Sequence, residues 1–335
     1  MTKVLITGVA GFMGSHLADS FLERGYQVCG IDSLVGGYLE NIPAGVEFLQ
    51  ADLDDLDRVE PLFEGTNLVV HAACTAYEGL SVFSPAFVVR NTFQITATVM
   101  SLSVKYRIKK IVFLSSMARY GEQNVDKYVE SLIPKPQDPY GIAKYASEML
   151  ISNLSSTHGI EFVTLVPHNI IGPRQRYNDP YRNVVSIMIN RMLQGKQPVI
   201  YGDGEQTRSF TFMNDVINPC IVAAETPSVN GEVINVGPDE DFITINELAG
   251  RLGDLMNFKV KPIYVEPRPQ EVRHAVCSAD KARSLLNYRT TTSLEDGLKE
   301  LISWISSKGP KPFEYNMPLE INNELTPKTW SNRLM

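Results

Sequence analysis

Lys3-Val-Leu-Ile-Thr-Gly-Val-Ala-Gly-Phe-Met-Gly14 runs an apolar stretch directly into three glycines, Gly8, Gly11 and Gly14. The apolar run reads as a buried strand, and a helical pattern follows from Ser15 to Arg24. A strand that turns this sharply into a helix needs glycine at the turn. A second glycine lets the backbone approach a pyrophosphate, and the helix start then offers free N–H groups and the positive end of its dipole. At the end of the next apolar run, about 20 residues further on, stands Asp32. Its carboxylate suits a ribose 2′-hydroxyl and repels a 2′-phosphate. The expected ligand is therefore NAD, held by Gly8, Gly11, Phe12, Met13, Gly14 and Asp32.

Working outward, strand-like runs recur at Lys3–Thr7, Gln27–Ile31, Val46–Leu49, Leu68–His71, Ile111–Leu114 and Phe162–Pro167, with helical segments between them. Strand and helix in alternation imply a parallel sheet with both faces covered, because only then are continuously apolar strands favourable. The predicted fold is α/β: a doubly wound parallel sheet of Rossmann type with a smaller C-terminal substrate-binding domain. Residues 1–167 form the cofactor domain and residues 168–305 mainly the substrate domain, where Gly172-Pro173, Asp179-Pro180 and Gly202-Asp203-Gly204 punctuate shorter elements. Val233–Val236 reads as one further buried strand, so the chain is expected to recross around residues 210–237. Ile245–Met256 reads as an amphipathic helix, and residues 306–335, with Pro310, Pro312, Pro318 and Pro327, as an extended tail packed on a surface. Asp52 and Leu53, after the third strand, are placed to meet an adenine ring, and Ala72 and Ala73 leave room for the cofactor after the fourth. His71 between them reads as a core histidine.

Composition excludes other classes. With 335 residues, 44% hydrophobic and 21% charged, the chain is ordinary globular sequence. A formal charge of -7 argues against nucleic acid as a partner, which calls for clustered Lys and Arg, but not against one small anionic ligand. Cys29, Cys74, Cys220 and Cys277 are widely spaced, without metal-like His partners, and read as free thiols with no metal site. No long uninterrupted apolar run occurs, so no membrane is implied and a cytoplasmic location is expected.

Tyr140-Gly-Ile-Ala-Lys144 puts a phenol and an ammonium on one helix face, and the cation favours the ionised phenol. Ser115 and Ser116 end the fifth strand, and the carboxyl ends of such strands are where ligands bind. Strand-end Ser, Tyr and Lys behind Thr-Gly-x-x-Gly-x-x-Gly resemble the extended short-chain dehydrogenase/reductase superfamily, in its NAD-dependent sugar epimerase/dehydratase branch. Further support for the resemblance lies at Asn91, at Asn169 within Pro-His-Asn-Ile-Ile-Gly-Pro, and in Tyr-Gly-Asp-Gly-Glu-Gln-Thr-Arg-Ser-Phe at positions 201–210.

This resemblance implies a nucleotide-sugar substrate whose diphosphate meets Arg208 and Arg268, with Ser116, Asn169, Asn183 and Tyr201 also on the substrate. It adds Asn91, Tyr140, Lys144 and Pro167 to the cofactor site. Tyr140 as phenolate would take a proton from the sugar hydroxyl while C4 gives hydride to NAD, with Ser116 on the same oxygen. Related dehydratases carry an Asp-Glu pair, decarboxylases a glutamate and GDP-mannose 3,5-epimerases a cysteine just after the strand-end Ser. Here those positions are Met117 and Ala118. What remains is redox at C4, hence a C4 epimerase, most naturally of a UDP-sugar; a dehydratase, decarboxylase or reductase using Cys74, Glu122 or His168 is the alternative. Arg119 either points out of the sheet or binds an acidic sugar substituent, and small Ala275 falls near a position that gates N-acetyl groups in relatives. The family also implies a homodimer through helices near Phe93–Lys105 and Ala143–Ser155.

Overall fold

Alternate residues of the first strand, β1 (Lys3–Thr7), enter two different cores. Val4 and Ile6 pack with Leu17, Ala18 and Phe21, whereas Leu5 packs with Val99, Met100 and Ile111. Side chains of a strand alternate between faces, so both faces of the sheet are buried. The computed structural model describes residues 2–240, 242–274 and 276–335. Its main sheet adds β2 (Gln27–Asp32), β3 (Glu47–Gln50), β4 (Leu68–His71), β5 (Lys110–Leu114), β6 (Glu161–Pro167) and β7 (Val233–Val236). All pairings are parallel, in the order β7-β6-β5-β4-β1-β2-β3. The order reverses between β1 and β4, which opens a crevice at the carboxyl ends of the strands.

Among the described residues the helices of ten residues or more are α1 (Phe12–Glu23), α2 (Ile95–Lys105), α3 (Pro139–His158), α4 (Val184–Leu193), α5 (Met213–Glu225), α6 (Ile245–Leu255) and α7 (Leu294–Lys308). Helices α1 and α5 cover one sheet face and α2 and α3 the other. Helix α1 starts three residues before the expected Ser15, because the glycine loop is itself wound into the first turn. A Cβ on Gly14 would lie 2.1 Å from the Gly8 carbonyl oxygen, so only glycine lets the helix begin there. Helix α3 starts at Asp138, whose side chain accepts from the Gly141 N–H at 3.0 Å, with Pro139 in the first helical position, and ends at Gly159 in the left-handed conformation (φ +70°).

After β6 the chain leaves the sheet and returns to it through α5 and β7, which pairs with β6. A separate core gathers Ile171, Val185, Met188, Ile189 and Ile200 with Leu248, Leu252, Leu298 and Leu301 from α4, α6 and α7. Helix α6 carries a capping box, Thr244 with Glu247, which is why it starts where the apolar period does. Three two-stranded ladders surround this region: Ile170–Ile171 with Thr211–Phe212, Val199–Tyr201 with Ile263–Val265, and Thr207–Arg208 with Ile243–Thr244.

The expected surface tail buries Met317 and Trp330 in one cluster with Tyr77, Leu80, Phe83 and Tyr181. Trp330, 1% exposed, packs against Tyr181 and Phe83, and its indole N–H donates to the Pro180 carbonyl at 3.3 Å. On α2, Ile95, Val99 and Leu102 lie in the core at 5%, 0% and 3% exposure, so these positions face inward and are not available to a partner. No helix among the described residues is long and apolar enough to cross a membrane.

Candidate active site

One cleft at the carboxyl ends of the strands is lined by the residues singled out for the cofactor, by Ser116, Tyr140 and Lys144, and by Asn169, Asn183, Tyr201, Arg208 and Arg268. Its floor on the cofactor side is the glycine loop. Gly8 (φ +74°) donates to the Ile31 carbonyl at 2.8 Å, and a Cβ there would lie 2.9 Å from the Ala73 backbone. The loop and the end of β4 therefore touch backbone to backbone, which small Ala72 and Ala73 permit. Gly11 caps α1 without a side-chain hydrogen bond, so the first-turn N–H groups of Phe12, Met13 and Gly14 are left to a ligand at a helix N-terminus. That is a fit for a pyrophosphate.

Asp32 ends β2 with one carboxylate oxygen accepting from Ala10 N–H at 3.0 Å and the other from Leu34 N–H at 2.7 Å. Burial raises its pKa while these N–H groups oppose the rise. Asp52 pairs with Arg90 at 3.5 Å, Leu53 is buried, Asn91 donates to the Phe87 carbonyl at 2.9 Å, and Pro167 ends β6. Each has a surface on the cleft. His71 is a core histidine: its ring nitrogens lie 2.7 and 2.9 Å from the Thr7 and Thr96 hydroxyls, and burial brings its pKa down to about 3.

The first two turns of α3 bring Tyr140 and Lys144 to the end of β5, next to Ser116. Lys144, 2% exposed, donates to the Leu114 carbonyl at 2.6 Å, and its ammonium lies 5.9 Å from the Tyr140 ring centre. Burial is the largest influence on Tyr140 and pushes its phenol well above the usual value; Cys74, Glu78 and Asp138 add to this, and a hydrogen bond with Ser116 opposes it. The lysine proximity expected to favour the phenolate is thus outweighed within the chain alone by loss of water, since a buried ionised phenol is costly. Ser115 is used differently: its hydroxyl donates to Glu148.

Further along the cleft Arg208 and Arg268 converge on Glu271, at 3.5 and 2.8 Å, and Arg268 lies over the Tyr201 ring with its guanidinium carbon 4.8 Å from the centre. Tyr201 shares a 2.6 Å hydrogen bond with the Thr329 hydroxyl of the tail. Asn169, in a left-handed conformation (φ +44°), donates to the Ser209 carbonyl at 3.0 Å. Asn183 caps α4, its side-chain oxygen accepting from Val185 N–H at 2.9 Å, which is a sufficient local reason for an asparagine there.

Arg119 does not reach the cleft. Its guanidinium lies 2.9 Å from the Glu148 carboxylate, both side chains about as buried as the core, and stacks over Tyr120. A charge in so dry a place needs a partner, and Glu148 is that partner, so of the two expectations for Arg119 the acidic-substituent reading fails. Glu122 is exposed and off the cleft. His168 lines it, but its ring donates to the Pro238 carbonyl at 2.9 Å, and burial lowers its pKa. Cys74 packs beside Tyr140. Ala275 lies outside the described residues.

Among the charged cleft residues without a sequence signal are Arg182 and Glu78. Arg182 lies over the Tyr77 ring, 4.8 Å from its centre, and reaches Gly36, where a Cβ would be 2.8 Å from its guanidinium nitrogen. Glu78, on the short helix Glu78–Ser81, opens onto the cleft although protein surrounds it on the scale of several ångströms. Burial and the Asp138 carboxylate push its pKa up to about 7. Neither follows a motif; each is placed by packing between segments far apart in sequence.

Residues 4–237 match the family model described as the NAD-dependent epimerase/dehydratase family. A putative UDP-glucose 4-epimerase of Methanocaldococcus jannaschii is 34% identical over 308 residues, 91% of this chain and 98% of the relative. The Thermotoga maritima UDP-glucose 4-epimerase solved with UDP-glucose superimposes with a TM-score of 0.87 at 32% identity, over 92% of this chain and 99% of that one. The Bacillus cereus UDP-glucuronic acid 4-epimerase, solved with UDP-glucuronic acid and NAD, does so with a TM-score of 0.85 at 29% identity, over 92% and 100%.

Proposed function

Since the chain belongs to the NAD-dependent epimerase/dehydratase family, we propose that it is an NAD-dependent C4 epimerase of a nucleotide-linked hexose, most naturally a UDP-sugar. The observation that carries this reading is the meeting of Ser116, Tyr140 and Lys144 at the end of β5, in the cleft that the glycine loop also lines, with Met117 and Ala118 where elimination or decarboxylation would call for acid–base groups. Bound NAD would supply hydride acceptance at C4 and its return, and a positive charge on the oxidised ring.

The chain's own residues handle the proton. Tyr140 takes it from the C4 hydroxyl and gives it back; Ser116 holds the same oxygen, and Lys144 contributes the fixed cation that offsets the cost of ionising a buried phenol. Gly8, Gly11, Phe12, Met13 and Gly14 hold the pyrophosphate, and Asp32 the adenine ribose. Asp52, Leu53, Ala72, Ala73, Asn91 and Pro167 shape the rest of the cofactor site. Arg208 and Arg268 exchange Glu271 for the substrate diphosphate, with Tyr201 at the base and Asn169 and Asn183 nearby. No further proton carrier is required, because the 4-ketone has only to show its other face.

We assign residues 1–167, with the returning segment 210–237, to the cofactor side and 168–305 mainly to the substrate side. The reaction belongs in the cytoplasm, in keeping with four free cysteines. A homodimer is supported by Ile142 and Met149, apolar on one side of α3 yet 52% and 59% exposed. Light scattering should return the mass of two chains, and a monomer at micromolar concentration would remove this assignment.

The deciding experiment incubates the purified protein with UDP-glucose, UDP-N-acetylglucosamine, UDP-glucuronate and GDP-mannose, and follows each by proton NMR and mass spectrometry. An isomer of unchanged mass inverted at C4 is expected from one or more of these. Loss of water or of carbon dioxide would overturn the epimerase reading.

A further inference from the structure

The helix Glu78–Ser81 is wedged between the two ends of the substrate site. At one end Gly79 lies against Arg268, where a Cβ would be 3.6 Å from a guanidinium nitrogen. At the other the Ser81 hydroxyl donates to the Asp138 carboxylate at 3.1 Å, two residues before Tyr140. Glu78 lines the cleft between these anchors, within electrostatic reach of Arg208 and Arg268 on one side and of Tyr140 on the other. In the proposed reaction the arginines hold the diphosphate and Tyr140 meets C4, so a group between them stands beside the hexose.

Its carboxylate is also uncommitted. Both arginines are paired with Glu271 instead, and among the described residues the Glu78 carboxylate has no hydrogen-bond or ion-pair partner. Glu78 is exposed on the cleft wall, so its carboxylate meets water there and is free to exchange that water for a ligand.

We propose that Glu78 determines which hexose the cleft accepts: its carboxylate takes hydrogen bonds from sugar hydroxyls and repels a sugar that itself carries a carboxylate. Neutral nucleotide-linked hexoses are then the substrate class and uronates are rejected. This rests on the C4-epimerase reading and names the substrate class of that same site. Specificity by an unpaired like charge is a discrimination that contacts to the correct sugar alone do not supply.

The test measures kcat/KM by NMR for UDP-glucose and UDP-glucuronate, and dissociation constants for both and for UDP by calorimetry, at pH 8 with the NAD-loaded enzyme and its E78Q variant. The wild type should favour UDP-glucose over UDP-glucuronate by about 30-fold or more, and E78Q should narrow that ratio by at least about tenfold, mainly by gaining uronate. UDP, which has no sugar, should bind both proteins alike. A wild type that prefers the uronate overturns the proposal, as does a ratio that E78Q leaves within twofold. An equal change in UDP binding overturns it too, since Glu78 would then face the diphosphate. If neither sugar is epimerised, nor UDP-N-acetylglucosamine nor GDP-mannose, the reaction reading fails on its own, while the binding ratio still decides the role of Glu78.

Discussion

Tyr140→Phe is expected to lower kcat by about 10²–10⁴-fold, the range lost with a positioned general base, while fold and NAD affinity stay near wild type. The substitution removes one hydroxyl and keeps the ring that packs with Val88 and Ala118. Single-turnover absorbance at 340 nm separates the step, because a loss at proton transfer suppresses NADH formation as well as product. A variant retaining a tenth or more of wild-type kcat would remove Tyr140 from the mechanism.

Gly14→Ala should cost the cofactor. The new methyl would lie 2.1 Å from the Gly8 carbonyl oxygen, 2.7 Å from the Gly8 carbonyl carbon and 2.9 Å from the Val9 Cα, all backbone atoms that cannot rotate away. The loop must shift on the scale of an ångström, for which a loss of about 100-fold in NAD affinity is expected, with a stability loss of about 1–3 kcal/mol from overpacking. Gly250→Ala in α6 is the matched control, because a Cβ there meets nothing within 4 Å. That change should leave NAD binding untouched and stabilise the helix by up to about 1 kcal/mol. Fluorescence titration with NAD and thermal unfolding read both. Equal affinities for the Gly14 variant and wild type would mean that the loop has room the structure does not show.

The glycine loop and the strand ends were legible because their signals lie among neighbours. Gly8, Gly11 and Gly14 lie within seven residues, Asp32 closes the next strand, and strand-end positions follow from apolar runs. Tyr140 and Lys144 were legible for the same reason, one helical turn apart. Arg119 was not: its number places it beside the site, but whether a strand-end side chain points to the cleft or beneath the sheet depends on what waits on each side, and Glu148, from two turns along α3, was the partner. Ile95, Val99 and Leu102 at helical spacing likewise fit a core or an interface until the opposing surface is known.

The sequence by itself determined the doubly wound sheet and the cofactor loop, since periodicity and glycine spacing act over a few residues and their physics is local. Only the tertiary structure decided which distant charged side chains share the cleft. Glu78, Arg208, Arg268 and Arg182 come from segments separated by up to 190 residues, as from Glu78 to Arg268, and they share a cleft because the chain leaves the sheet after β6 and folds back over it. A charge acquires its partner, and so its function, only when the packing of distant elements removes water from one side of it and leaves the other side open.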